Sequence, residues 1–139
     1  MGAIKKLALT INAFDATEFL ETILNEIRDQ VDYVMAIYQE KSYWGNPMDP
    51  IDFEELNRLK NLGLIDELYK FTPDFTKYSR VQETEKRNLG INLMKDRGFS
   101  HILNIDADEL YDKDQFKEAK HQINKNGWPI TYWSYVNYY

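Results

Sequence analysis

His101-Ile102-Leu103-Asn104-Ile105-Asp106-Ala107-Asp108-Glu109-Leu110 is an apolar, strand-like run that ends in two carboxylates separated by one small residue. In an extended chain alternate side chains share a face, so Asp106 and Asp108 are expected to point the same way. Two hard anionic oxygens converging at a strand end suit Mg²⁺ or Mn²⁺ and, through the cation, a diphosphate. Asp also favours turns and helix N-caps, so the pair taken alone more often marks an ordinary strand end than a site. The flanking chain has to decide.

Before this run, Arg80–Arg97 has the spacing of a helix, with Leu89, Leu93 and Met94 inward and Gly98 as its stop. A loop over Pro73–Ser79 precedes it, and Ile65–Phe71 reads as a strand. Pro50–Leu62 is helical, with Phe53, Leu56 and Leu59 inward and Gly63 ending it. Val31–Tyr38 is a continuous apolar run, as in a strand covered on both faces, and it opens into the polar, aromatic loop Gln39–Asp49. Nearest the N-terminus, Ile4–Ile11 alternates as a strand. Asp15-Ala16-Thr17-Glu18 matches a capping box, and Phe19, Leu20, Ile23, Leu24 and Ile27 follow on one helical face. After the acidic strand come a helix over Lys113–Asn124, closing at Gly127, and an aromatic strand over Ile130–Tyr138.

Strands alternating with helices predict parallel neighbours joined by right-handed crossovers. The expected fold is α/β, a three-layer α/β/α sandwich on a mainly parallel sheet, in a single domain over residues 1–139. Ligands of such sheets sit outside the carboxyl ends of the strands, where the Asp106/Asp108 pair and the Gln39–Asp49 loop should both emerge.

Composition narrows the function classes. At 139 residues, 43% apolar and 29% charged, the chain can bury its own core. The absence of Cys excludes disulfides and thiolate metal sites. A net charge of −6 without a basic block argues against a nucleic-acid partner, and an acidic chain handling an acidic nucleotide needs a cation or local Arg and Lys. No transmembrane segment or signal peptide is expected, since the run Leu7–Ile11 is too short; a cytoplasmic location is the default expectation. An EF-hand fails because Leu110 and Tyr111 stand where its loop needs an oxygen ligand and Gly. An Asp-x-Asp phosphatase usually carries its pair on the first strand. Neither a Walker phosphate loop nor a Gly-x-Gly-x-x-Gly fingerprint is present.

On the helix before the acidic strand stands Glu85-Lys86-Arg87-Asn88-Leu89-Gly90-Ile91. Here the chain resembles the GT-A glycosyltransferases, in particular the family-2-type nucleotide-sugar transferases. Their pattern is Arg-Asn-x-Gly on a helix, then a hydrophobic strand ending in Asp-x-Asp. Thr10-Ile11-Asn12 is similar to the family's opening nucleotide-contact segment. The resemblance spans nearly the whole chain and implies a GT-A fold and a metal-dependent transfer of sugar from a nucleotide-diphosphate donor to an acceptor, with inversion. It implies that Asp108 holds Mn²⁺ or Mg²⁺ and that Asp106 contacts the metal or the ribose. Arg87 would bring a fixed cation to the phosphates or ribose, Asn88 beside it would also contact the donor, and Thr10 and Asn12 would seat the nucleotide.

The family's acidic, base-contacting turn after the second strand reads here Tyr38-Gln39-Glu40-Lys41-Ser42, which leaves Gln39 and Glu40 in its place. Trp44, Tyr132, Trp133 and Tyr135 are candidates for stacking on sugar or base, or for core. The family's catalytic base lies further downstream, in an acceptor-binding part. With the chain ending at Tyr139, the expectation is a donor-binding half, with Glu109 and Asp112 the first alternatives for a base and with the aromatic last strand open to self-association. Two other functions stay open. One is a non-catalytic nucleotide-sugar-binding or interaction module. The other is a nucleotidyltransferase, which usually needs a Gly-rich, basic loop where Thr10–Ala16 has no Gly, Lys or Arg.

Overall fold

The computed structural model describes residues 6–128 and 130. Four strands are present among them: β1 (Leu7–Ala13), β2 (Tyr33–Tyr38), β3 (Glu67–Lys70) and β4 (His101–Asp106). They pair in the order β3-β2-β1-β4, and every pair is parallel. Helices α1 (Leu20–Ile27), α2 (Pro50–Asn61), α3 (Ser79–Asp96) and α4 (Lys113–Asn126) alternate with them. The described residues are therefore α/β on a four-stranded, all-parallel sheet. The strand expected over Ile130–Tyr138, with its self-association edge and with Tyr132, Trp133 and Tyr135, lies apart from Ile130 outside the described residues.

Handedness distributes the helices. The steps β1→β2→β3 run one way along the sheet, and right-handed crossovers place α1 and α2 on one face. The step from β3 to β4 runs back past β2 and β1, which sends α3 to the other face. The two cores follow this division. Leu9, Ile11 and Ala13 of β1 pack with Leu20, Ile23, Leu24 and Ile27 of α1, Leu56 and Leu59 of α2 and Phe116 of α4. On the opposite face Ala8, Met35 and Ile37 pack with Met94 of α3. Fully burying a side chain such as Leu24 stabilises by roughly 1.5–3 kcal/mol, so the first face carries most of the apolar stabilisation.

Several local expectations change. Asp15 is not an N-cap: Ala16 adopts a left-handed backbone (φ 56°), a 3₁₀ turn spans Thr17–Phe19, and α1 begins only at Leu20. A capping residue needs an extended backbone directly before the helix. Thr17 instead donates its hydroxyl to Asp52 Oδ1 at 2.6 Å. Phe19 and Phe53, expected inward, are 42% and 40% exposed, Phe53 lying against the ring of Tyr38. β3 is shorter than Ile65–Phe71, and β1 runs on to Ala13. Helices α2 and α4 do begin at Asp residues that cap them, Asp49 accepting from Ile51 N–H and Asp112 from Gln115 N–H.

Candidate functional site

β1 and β4 are neighbours, and the order of the sheet switches between them: β2 and β3 follow on one side of β1, while β4 lies on the other. Open parallel sheets bind ligands outside the carboxyl ends of the strands at such a switch in strand order. An open cleft of about 300 Å³ lies there, at the lower end of the range for small-molecule sites. Asn12, Gln39, Lys86, Asp106 and Asp108 line it, with Tyr43 and Trp44 from the loop after β2.

Alternation along the strands selects what faces α3. Thr10 pairs with Asn104 and Asn12 with Asp106 in register, so all four turn toward the same face. They form one network with Arg87. Asn104 donates to Thr10 Oγ1 at 2.7 Å. Arg87 Nη1 donates to Asn104 Oδ1 at 2.9 Å, and its Nη2 to both oxygens of Asp106 at 2.8 and 2.9 Å. Asn12 Nδ2 donates to Asn104 Oδ1 and Asp106 Oδ1. The side-chain oxygen Oδ1 of Asn12 is buried with no donor among the described residues. Burial alone would lower the Arg87 pKa, but the bonds to Asp106 and its charge prevail and raise it. Arg87 is a permanent cation whose fork is taken up by Asp106 and Asn104.

Asp108 is different. β4 ends at Asp106, and residues 107 and 108 form a turn in which Glu109 N–H donates to the Asp106 carbonyl. Asp108 is exposed on the rim of the cleft that Asp106 also lines. Among the described residues no cluster of three or more His, Cys, Asp or Glu is arranged to hold a metal.

Of the other residues singled out from sequence, Gln39 is buried at the cleft floor. Glu40 is exposed, 3.7 Å from Lys70 Nζ, and outside this cleft. Asn88 is exposed on α3 and is not part of the lining. Trp44 is 83% exposed on the rim. Tyr43 stands beside it, its phenol pushed up to about 12 by burial and by the charge of Glu83, so it is a neutral donor.

Sequence reasoning missed Lys86. The buried stripe of α3 is Gln82, Lys86, Gly90 and Met94, whereas Leu89 and Leu93 are only half-buried. Lys86 is 4% exposed, and its ammonium donates to the Ala13 carbonyl at 3.1 Å and to Gln39 Oε1 at 3.0 Å. Gly90 makes this possible: a Cβ there would come within 2.6 Å of Ile37 Cδ1 and 3.3 Å of Thr10. Helix and sheet approach so closely that a side chain one turn earlier reaches the strand ends. The available signal was the four-residue spacing of 82, 86, 90 and 94 around a mid-helix Gly, hidden because two of its members are polar.

No family model, curated protein or solved structure matches this chain. Among the described residues no helix is long and apolar enough to cross a membrane.

Proposed function

We propose that the cleft binds the nucleotide-diphosphate part of a sugar donor, and that the chain is a metal-dependent, GT-A-type glycosyltransferase or its donor-binding half. The observation that carries this is the place of Asp106 and Asp108: both line one cleft at the carboxyl ends of adjacent parallel strands, where the order of the sheet switches. The Arg-Asn-x-Gly pattern supports it, because Arg87 reaches from α3 to Asp106 in that same cleft.

The donor set suits a cation that arrives with its ligand. Mg²⁺ and Mn²⁺ keep several waters or phosphate oxygens and need only one or two protein carboxylates. Asp108 supplies a carboxylate free of Arg87, and Asp106 can share an oxygen while Arg87 keeps it oriented. A bound divalent ion would neutralise the departing diphosphate. Asn12 and Arg87, both held by Asn104, donate to the carboxylate of Asp106 and keep it in one orientation, as preorganised electrostatics require. Tyr43 and Trp44 offer ring faces and a phenol O–H to a base or ribose.

The test is a thermal-shift and calorimetric screen of UDP, GDP, CDP and their sugars, with and without Mn²⁺. A ligand of the folded state raises the melting temperature by mass action. At least one nucleotide should bind in a Mn²⁺-dependent way and lose that dependence in Asp108→Ala. If millimolar nucleotide with Mn²⁺ leaves stability unchanged, the donor-site assignment falls. If nucleotide binds but no acceptor panel yields free nucleoside diphosphate from the sugar donors, binding stands without transfer.

A further inference from the structure

We infer that Lys86, and not Arg87, is the cation this cleft presents to its ligand, and that its ammonium takes an acceptor oxygen of the nucleotide. The inference rests on the donor-site assignment above and adds a residue to it.

Arg87 has little left to offer, since Nη1 and Nη2 are committed to Asn104 and Asp106. Lys86 is in the opposite condition. An ammonium has three N–H donors, and its two partners, the Ala13 carbonyl and the Gln39 amide, are both neutral. A buried cation without a hydrogen-bonded counter-charge is costly, and this one borders a cleft of ligand size. The third N–H has an acceptor to find there.

The floor around it presents donors. Gln39 Oε1 receives Lys86, and Gln39 Nε2 donates to the Lys41 carbonyl at 2.9 Å. Turning the amide over would set its NH₂ against the ammonium and its oxygen against a carbonyl, so one orientation holds. With its oxygen taken by Lys86 and one N–H given to Lys41, the amide keeps a second N–H donor. Donors match oxygen acceptors and reject an amino group.

Charge decides the protonation state. Asp106 from β4, Asp15 from the loop after β1 and Glu83 from α3 favour the ammonium, while burial, the largest influence, and Arg87 oppose it. The balance leaves the Lys86 pKa lowered to about 8, so the group is cationic at pH 7.

The acceptor oxygen is either a base carbonyl or a phosphoryl oxygen, and the experiment separates the two sources. Calorimetry of the full chain and of Lys86→Met uses the tightest of UDP, GDP and CDP with Mn²⁺, then its nucleoside alone, then pyrophosphate with Mn²⁺. Thermal melts confirm that the variant is folded. Loss of a charge-assisted hydrogen bond should weaken nucleotide affinity about 10- to 100-fold. A loss repeated with the nucleoside assigns the base carbonyl; a loss repeated with pyrophosphate assigns the phosphoryl oxygen. Parent and variant binding nucleotide equally would overturn the inference and leave the donor site standing. A parent chain that binds no nucleotide would remove both.

Discussion

On one face of the sheet β1 sends Leu9, Ile11 and Ala13 into a dry core against α1, every one without exposed surface. On the other, the same strand turns Thr10 and Asn12 toward α3, which meets them with Gln82, Lys86 and Gly90 as well as Met94. One strand thus serves two different tasks through its alternation. The apolar face has nothing to offer a ligand, and its packing supports the sheet. The α3 face places hydrogen-bonding groups at the carboxyl ends, where the cleft opens, and returns to apolar packing at Ala8, Met35 and Met94 further along. Gln82 fits the same division: it is fully buried, yet its amide accepts from Asp74 N–H and donates to the Lys77 carbonyl, fixing the loop into α3.

This contrast is open to test at each face. Leu24→Ala on the apolar face should have the largest effect, a loss of about 2–5 kcal/mol from lost burial and a residual cavity. Denaturant unfolding measures it, and the folded fraction should bind nucleotide as the parent does. Weaker binding by the folded variant would mean that the faces are not independent.

Gly90→Leu comes next, with a loss of about 1–3 kcal/mol or more from overpacking. In an exposed helix, replacing Gly by a good helix former gains up to about 1 kcal/mol. Here the new side chain would enter Ile37 and Thr10. It would also lift Arg87 and Lys86 off the strand ends, so nucleotide binding should fall with stability. A Gly90→Leu variant as stable as the parent would show that α3 does not depend on close approach.

Lys86→Met should act in the opposite direction. Replacing a buried charge with an apolar side chain of similar length should raise stability at pH 7 by about 1–3 kcal/mol, while the same change weakens nucleotide binding. Its pH signature has a definite sign. The folded-state pKa, about 8, lies below the ordinary lysine value of 10.5. Between these limits the unfolded chain binds more protons than the folded one, so Lys86 makes stability rise with pH across that window. Below pH 8 both states are protonated and the contribution is constant. The parent-minus-variant stability difference, measured from pH 7 to 10.5, should therefore shrink in magnitude as pH rises. A flat difference would mean that Lys86 is solvated.

Much of this architecture is legible in the residues themselves. Apolar periodicity locates all four described strands and all four helices, and the alternation of strands with helices predicts the parallel sheet. Asp106 and Arg87 stand out because a carboxylate after an apolar strand and an Arg on the preceding helix have a joint pattern. What stays hidden depends on tertiary packing. Lys86 looks like a solvated charge until α3 is laid on β1 and β2, and Asn104 looks like a break in a strand until Thr10 and Arg87 surround it. Asp15 has the residue type of a cap, but the backbone at Ala16 denies it that role. Periodicity reports apolar burial and is blind to polar burial, which is where this cleft is built.

The smallest expected effect is at Ala16, on the cleft rim between β1 and the apolar-face helix. Its φ of 56° is the only positive value at a described residue other than glycine. A Cβ in that conformation costs roughly 1–2 kcal/mol, while glycine gives the unfolded chain more freedom, roughly 0.5–1 kcal/mol to lose on folding. Ala16→Gly should therefore gain only a few tenths of a kcal/mol to about 1 kcal/mol in denaturant unfolding. The binding result carries the lesson. If the strained turn serves only to connect β1 with α1, the variant binds nucleotide as the parent does. If it holds Asp15 and Ala16 against the ligand, the added freedom weakens binding even as stability rises, and the functional rim then extends from the α3 face onto the loop that leads to the apolar one.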